Sequence, residues 1–132
     1  MSQENVEVLY RKVLEAWNEG DIEACLALLH DDVAISSALG EVDGTYSGHE
    51  GARRWWADFH EVFPDWHAEL LTLRSIGAVT LAQLHLTGHG GGSGAPVDET
   101  MWHAMYWRDG KGWRITRHDT EAEALEAVGR SE

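Results

Sequence analysis

The chain has 132 residues, of which 43% are hydrophobic and 25% are charged, a composition typical of a folded globular domain and not of a disordered chain. Ten basic against 23 acidic side chains give a net charge of −13, which argues against nucleic acid or an anionic membrane surface as a partner. Cys25 is the only cysteine, so no internal disulfide is expected. The first residues also lack a signal-peptide pattern, and both features predict a cytoplasmic protein. We expect one domain over residues 1–132.

Three amphipathic helices are predicted in the first half of the chain. Apolar residues recur with helical spacing in the first, at Val6, Leu9, Tyr10, Val13, Leu14 and Trp17. Gly20 ends this helix, and Asp21 is a suitable N-cap for the second. After an extended piece around residues 33–37 and a glycine-containing loop, Ser47 begins a capping-box pattern. The third helix follows it and ends at Pro64.

From Asp65 onward the apolar residues alternate with polar ones, as they do over residues 82–87, which is typical of strands. Further strands are predicted at about residues 97–108 and 113–118, separated by the tight turn RDGKG. Thr120 is a suitable N-cap for a short C-terminal helix. Helices followed by a run of antiparallel strands and a helical tail predict an α+β fold with helices covering one face of a curved sheet.

Five segments of the chain resemble the nuclear transport factor 2-like superfamily, in its SnoaL-like and ketosteroid-isomerase-like branch. They are AWNEGDIEACLALLHDDV, YSGHEGARRWW, FPDWHAEL, YWRDGKGWRI and DTEAEALEAVG, in the order of the family. The resemblance implies a cone-shaped fold, in which three N-terminal helices and the concave face of a curved antiparallel sheet enclose a pocket. It also implies a small-molecule ligand in that pocket and a homodimer through the convex face.

The isomerases of this branch use a carboxylate base, with a tyrosine and a protonated acid that donate hydrogen bonds to the oxyanion. The resemblance places Ser37, Val13 and His103 at these three positions, so steroid isomerisation by that mechanism is not expected. The polyketide cyclases of the branch use an acidic residue near the end of the last strand, where this chain has Arg117 and Asp119. Asp119 is interpreted either as an acid or base, or as a carboxylate that the helix dipole favours at a helix N-terminus.

His103 is the main candidate for proton transfer, because the resemblance puts it on the concave face. Burial there lowers the pKa of an imidazole and leaves a neutral ring that can accept or give a proton. The alternative is a core histidine bonded to a neighbouring polar group. Tyr10 is interpreted either as a hydroxyl donor in the pocket or as a tyrosine at the core rim with its hydroxyl in water.

The remaining predicted pocket residues are mostly aromatic or apolar. They are Val13, Trp17, Ser37, Trp55, Trp56, Phe59, Met101, Met105, Trp113 and Arg117. Aromatic residues at helical spacing are equally typical of a plain core, so two interpretations stay open. No cofactor and no metal are expected: His85 and His89, the nearest pair on one strand face, lie about 13 Å apart at the usual strand rise.

These features favour a small-molecule-binding protein of the SnoaL-like type. As an enzyme it would be a cofactor-independent isomerase, cyclase or dehydratase of an apolar or aromatic compound, with His103 transferring the proton. A non-catalytic ligand-binding module is the second hypothesis. The third is an interaction or dimerisation domain, which a cavity smaller than about 300 Å³ would favour. The Asp–Arg–Asp arrangement of an epoxide hydrolase is not evident on the predicted strands.

Overall fold

A computed structural model describes the backbone of residues 3–39, 42–90, 92 and 94–131, and their side chains except those of residues 3, 4, 37–39, 42–44, 130 and 131. Its elements follow in chain order: α1 (Gln3–Asn18), α2 (Ile22–Ala27), β1 (Leu29–Leu39), β2 (Val42–Ser47), α3 (Gly48–Val62), β3 (His67–Ile76), β4 (Val79–His89), β5 (Pro96–Arg108), β6 (Lys111–His118) and α4 (Glu121–Ser131). The predicted α+β fold is confirmed.

The strands form one sheet in the order β2-β1-β6-β5-β4-β3. Neighbouring strands are antiparallel except β1 and β6, which are parallel, so the sheet is mixed where an antiparallel one was expected. β1 and β6 are far apart in sequence, and no hairpin fixes their relative direction. The segment predicted as a glycine-containing loop contains β2, which pairs with β1 from Ala34 opposite Ser47 to Leu39 opposite Val42.

The β5–β6 hairpin turns at Asp109 and Gly110, whose φ angles are 53° and 77°. Positive φ at both central residues is the geometry of a type I′ turn, which favours Asp-Gly and matches the twist of the strands. Just beyond the turn the pairing shifts: Trp107 lies opposite Gly112, whereas Tyr106 lies opposite Arg114. The extra residue on β6 bulges out of the ladder, and this affects the placement of one predicted pocket residue.

The two faces of the sheet have different covers. Helices α1 and α2 pack with α3 over the first face, here called the helix-covered face, where Met101 and Met105 of β5 join the main core cluster. Helix α4 packs on the opposite face, here called the α4 face, where Ala124 and Val128 contact a second cluster that includes Leu81 and Ala104. Alternation along β5 therefore puts odd-numbered residues under α1–α3 and even-numbered residues under α4.

Side chains fix the ends of several helices. Asp21 accepts a hydrogen bond from the backbone N–H of Ala24 at 3.1 Å, and Thr120 accepts one from Glu123 at 3.1 Å, so both predicted caps are confirmed. Ser47, the last residue of β2, makes no capping hydrogen bond with its side chain. No helix in the described part of the chain is long and apolar enough to cross a membrane.

Asn18 connects the end of α1 to the edge strand β3. Its side-chain amide donates to the carbonyl oxygen of Ala68 and accepts from the N–H of the same residue, both at 2.9 Å. These bonds satisfy backbone groups that an edge strand would otherwise leave open. They also hold the last turn of α1, which carries Trp17, against the sheet.

Candidate functional site

A cavity of about 70 Å³ lies between helices α1–α3 and the helix-covered face of the sheet. Most of the predicted pocket residues line it: Tyr10, Val13, Trp17, Trp55, Trp56, Phe59, Met101, His103, Met105 and Arg117. The helical stripes and the family resemblance therefore predicted most of this wall. The cavity is smaller than the roughly 300 Å³ at the lower end of drug-sized ligand sites.

One side of the cavity is a cluster of aromatic rings centred on Trp17. The ring centroid of Trp17 lies 4.4 Å from that of Trp55, 4.6 Å from Trp56, 4.7 Å from Trp66 and 5.6 Å from Phe59. These separations are in the range in which aromatic pairs attract one another. The cluster forms because the C-terminal half of α1, the middle of α3 and the residue before β3 all put a large ring on the same side.

Two indole N–H groups in this cluster have no hydrogen-bond partner in the part of the chain that the structure describes. The Nε1 atoms of Trp17 and Trp55 are buried, and neither has an acceptor among the described residues. The buried Trp107, which does not line the cavity, instead donates from Nε1 to the hydroxyl of Thr80 at 2.9 Å. A buried donor without an acceptor costs about 1–3 kcal/mol, so the arrangement at Trp17 and Trp55 is an unfavourable one for a plain core.

A polar pair lies among the apolar residues of the lining. The hydroxyl of Tyr10 lies 3.4 Å from Nδ1 of His103, a long hydrogen bond between α1 and β5. Burial, the largest cause, and the positive charges of Arg117 and the neighbouring His118 together lower the pKa of His103 to about 4. Burial also raises the pKa of Tyr10, so at neutral pH both groups are uncharged.

Tyr10 is not at the core rim, because only 2% of its surface is exposed. This excludes the interpretation that its hydroxyl lies in water. His103 is partly buried and its ring lines the cavity. The structure thus brings together a phenol and a neutral imidazole that sequence analysis could consider only separately.

Arg117 is the charged residue of the lining, and its side chain is 15% exposed. Its Nε donates to the sulfur of Met101 at 3.0 Å, and its Nη1 donates to the carboxylate of Asp119 at 3.2 Å. Nη2 lies 3.9 Å from the carboxylate of Glu99. The guanidinium is held between the cavity and two surface carboxylates, and it can attract negative charge on a bound molecule.

Two predicted site residues do not belong to the cavity lining, and the side chain of a third lies outside the described residues. The side chain of Asp119 is 74% exposed and contacts Arg117 outside the lining. The prediction that Trp113 lines the pocket is wrong: the bulge in β6 turns its ring to the α4 face, where it packs against Tyr106. The backbone of Ser37 is in β1, but its side chain lies outside the described residues.

Sequence analysis missed several lining residues, including Cys25, Ser36 and Trp66. Trp66 begins the apolar alternation that continues at Ala68, and this was a usable signal for the inner face. The Cys25 thiol donates to the carbonyl of Val13 at 3.6 Å, and burial and the nearby Asp21 raise its pKa to about 12. A thiol in this state is unreactive.

Two other histidines on the strands are paired with carboxylates at the surface. His85 lies 2.6 Å from Asp98, and His89 lies 2.8 Å from Asp65. Within the described ranges no three His, Cys, Asp or Glu residues form a group that could hold a metal ion. The absence of a metal and of a cofactor stays a prediction.

Comparison with known sequences and structures agrees with this geometry. The sequence profile described as a SnoaL-like domain matches residues 10–118. A search of curated proteins finds no match to this chain.

Several solved structures share the fold. An NTF2-like protein of unknown function from Burkholderia pseudomallei K96243 has 18% identity and a TM-score of 0.81, over 96% of this chain and 97% of that one. A candidate SnoaL-like polyketide cyclase from Jannaschia sp. CCS1 has 22% identity and a TM-score of 0.73, over 93% and 89%. A protein with a ketosteroid isomerase-like fold from Catenulispora acidiphila DSM 44928, in complex with trimethylamine, has 16% identity and a TM-score of 0.75, over 92% of each chain. These likenesses confirm the predicted fold, and the matching SnoaL-like profile confirms the predicted family.

Proposed function

This chain belongs to the SnoaL-like domain family, and we propose that it binds a small apolar or aromatic molecule in the cavity beside His103 and catalyses a proton transfer on it without a cofactor. The observation that carries this proposal is the pairing of the His103 imidazole with the buried Tyr10 hydroxyl at an apolar cavity. Isomerisation, cyclisation and dehydration all need such a proton-transfer group.

The charge of the bound molecule decides how strong a base His103 is. With a pKa of about 4, the ring is a weak base in the empty site. Negative charge that develops on a substrate near Arg117 and His103 favours the protonated imidazole and raises its pKa toward the ordinary value. The proposal therefore requires a substrate that carries a carbonyl or a similar group able to take up negative charge.

The cavity volume either limits the size of the ligand or requires the cavity walls to move. At about 70 Å³ the cavity is too small for a drug-sized ligand. Several of its aromatic walls, among them Trp55 and Trp56, are only partly buried. We propose that these rings move apart when the ligand enters.

The proposal can be tested with 2-indanone, a small aromatic ketone with acidic protons beside its carbonyl. In deuterated buffer, proton NMR measures how fast these protons exchange. We expect the wild type to accelerate the exchange and the His103→Gln variant to lose about 100-fold or more of that acceleration, the usual contribution of a positioned acid or base.

The matched control is His85→Gln, which changes a histidine on the outside of the sheet, paired there with Asp98. It should leave the exchange rate unchanged. Full exchange activity in His103→Gln would remove His103 from this role. Binding of 2-indanone without any accelerated exchange would contradict catalysis and favour the non-catalytic ligand-binding module.

The small cavity itself favours a second candidate function, an interaction domain. On this alternative the core between α1–α3 and the sheet is only imperfectly filled, and the protein acts through its surface. Equilibrium dialysis that detects no bound 2-indanone and no bound indane at millimolar concentration would support it against the first proposal.

We also propose, as the family resemblance implies, a homodimer through the outer side of the sheet. Helix α4 covers only the part of the α4 face near Leu81 and Ala104. The neighbouring side chains His85 and Gln83 are partly exposed there, so this part can accept a second copy. Sedimentation equilibrium tests the mass, and a His85→Glu variant, which adds a negative charge beside Asp98, should shift a dimer toward monomer.

A cytoplasmic location also stays a proposal.

A further inference from the structure

We propose that the indole N–H groups of Trp17 and Trp55 form a hydrogen-bond donor subsite for an acceptor oxygen of the bound molecule. The ligand is then an aromatic ketone, quinone or phenolate, and not a hydrocarbon or an amine. This inference rests on the proposed function, because it assigns the chemical class of the molecule that occupies the same cavity.

The first support is the state of the two indoles. Both rings line the cavity, and both Nε1 atoms are buried without an acceptor among the described residues. Buried N–H groups of folded proteins are nearly always paired, so each exception calls for an explanation such as a ligand or a bound water. Trp107 follows the general rule in the same protein, since it donates to Thr80.

The ring contacts within the cluster do not supply a good acceptor. Trp17 makes edge-to-face contacts with Trp56 at 72° and with Trp66 at 68°. An aromatic face accepts an N–H only weakly compared with an oxygen atom. An oxygen of a ligand that packs against both rings would replace a weak interaction by a full hydrogen bond.

The second support is the polar character of the rest of the lining. Its polar side chains include Tyr10, Arg117 and the neutral His103, and each of these can donate a hydrogen bond. No carboxylate and no side-chain amide belongs to the lining described. A lining that offers donors and contains no carboxylate fits a molecule whose polar atoms accept, and it is unsuited to a cation.

A matched pair of probes tests the inference. 2-Indanone and indane have the same ring skeleton, and only the ketone carries an acceptor. Equilibrium dialysis, which does not depend on tryptophan fluorescence, gives the affinity of each probe. We expect the wild type to prefer 2-indanone, and Trp17→Phe and Trp55→Phe each to lose about three- to tenfold of that preference, as one hydrogen bond predicts.

The control variant is Trp107→Phe, which also loses an indole N–H but lies outside the cavity lining. It should bind both probes as the wild type does. A second readout needs no variant: in the nitrogen–proton NMR spectrum of the wild type, the Nε1–H signals of Trp17 and Trp55 are assigned by nuclear Overhauser contacts. The ring current of either probe can shift them, but only 2-indanone accepts a hydrogen bond, so we expect them to move further downfield with 2-indanone than with indane.

The outcomes separate this inference from the proposed function. If neither probe binds, the proposed small-molecule function fails, and the inference fails with it. If both probes bind equally, or if the preference survives in Trp17→Phe and Trp55→Phe, the donor subsite is wrong and ligand binding stands. Tighter binding of tetramethylammonium than of 2-indanone would also overturn the subsite, because aromatic faces and not N–H groups would then hold the ligand.

Discussion

Two parts of the helix-covered core differ in whether their buried N–H groups have hydrogen-bond acceptors. At one end, the indole of Trp107 donates to Thr80 at 2.9 Å, and the Thr80 hydroxyl donates to the carbonyl of Met105 at 3.4 Å. At the cavity, the indoles of Trp17 and Trp55 have no acceptor within the described residues. The first part is a closed hydrogen-bond network, and the second contains buried donors without an acceptor among the described residues.

The difference separates residues that serve stability from residues that serve binding. A closed network contributes to stability and has nothing to offer a ligand. Unpaired buried donors and an imidazole with a strongly lowered pKa reduce stability, and such groups are found at functional sites more often than elsewhere. The same helices and the same sheet build both parts, so the comparison can be tested by substitutions of the same kind in each.

The largest expected effect is on the pH dependence of stability at the cavity. The unfolded chain protonates His103 near pH 6.5 and the folded chain only near pH 4, so the unfolded state binds more protons between these values. The free energy of unfolding therefore falls as the pH falls through this window, by about 3 kcal/mol for this one group. Urea unfolding at several pH values measures the slope.

The His103→Gln variant isolates the contribution of this histidine. Between pH 6.5 and 4, the free energy of unfolding of this variant should no longer show the decrease that His103 causes. The surface variant His85→Gln should still show that decrease. The groups that act on His103 (Tyr10, Arg117 and His118) are retained in both variants. Equal slopes in the wild type and in His103→Gln would show that the folded imidazole titrates normally and would weaken the contrast between the two parts.

The next effect concerns the closed network. Thr80 is fully buried, and Thr80→Val keeps its shape while it removes the acceptor of the Trp107 N–H. We expect a loss of about 1–3 kcal/mol in the free energy of unfolding, the cost of leaving a buried donor unpaired. Thr72→Val, at an exposed threonine of β3, should change it by less than about 0.5 kcal/mol. A similar loss in the free energy of unfolding for both variants would contradict a stabilising role of the hydrogen-bond network.

A smaller difference is expected between two tryptophans. Trp107→Phe and Trp55→Phe remove the same atoms, but only Trp107 loses a hydrogen bond to a described residue. Trp107→Phe should therefore cost about 1 kcal/mol more than Trp55→Phe in urea unfolding. A larger cost for Trp55→Phe would mean that its N–H has a partner in solution, and it would remove the comparison on which the donor subsite depends.

The contrast also explains which features could be predicted from the sequence. Helical stripes depend on local periodicity, so they predicted the helices and put Trp17 and Trp55 on the inner side. Both faces of the strand that carries His103 are largely apolar, so the family resemblance, and not the alternation, put His103 there. The parallel pairing of β1 with β6 depends on contacts remote in sequence, and periodicity carries no information about it. The strand β2 pairs with the adjacent β1, but it was missed because its segment, which contains Gly44, was interpreted as a loop. Trp113 was misplaced because a one-residue bulge reverses the side of a strand residue. The Tyr10–His103 contact joins residues 93 positions apart.

The smallest effect is expected at Asp119, which sequence analysis considered as an acid or base. Its side chain is 74% exposed, and its contact in the structure is a 3.2 Å hydrogen bond from Arg117. Asp119→Asn should change the free energy of unfolding by less than about 0.5 kcal/mol, as exposed ion pairs usually do. It should leave 2-indanone exchange within about threefold of the wild-type rate, because the amide can still accept from Arg117. A loss of about 100-fold would instead be the size expected of a proton-transfer group. That result would mean that Asp119, and not His103, transfers the proton.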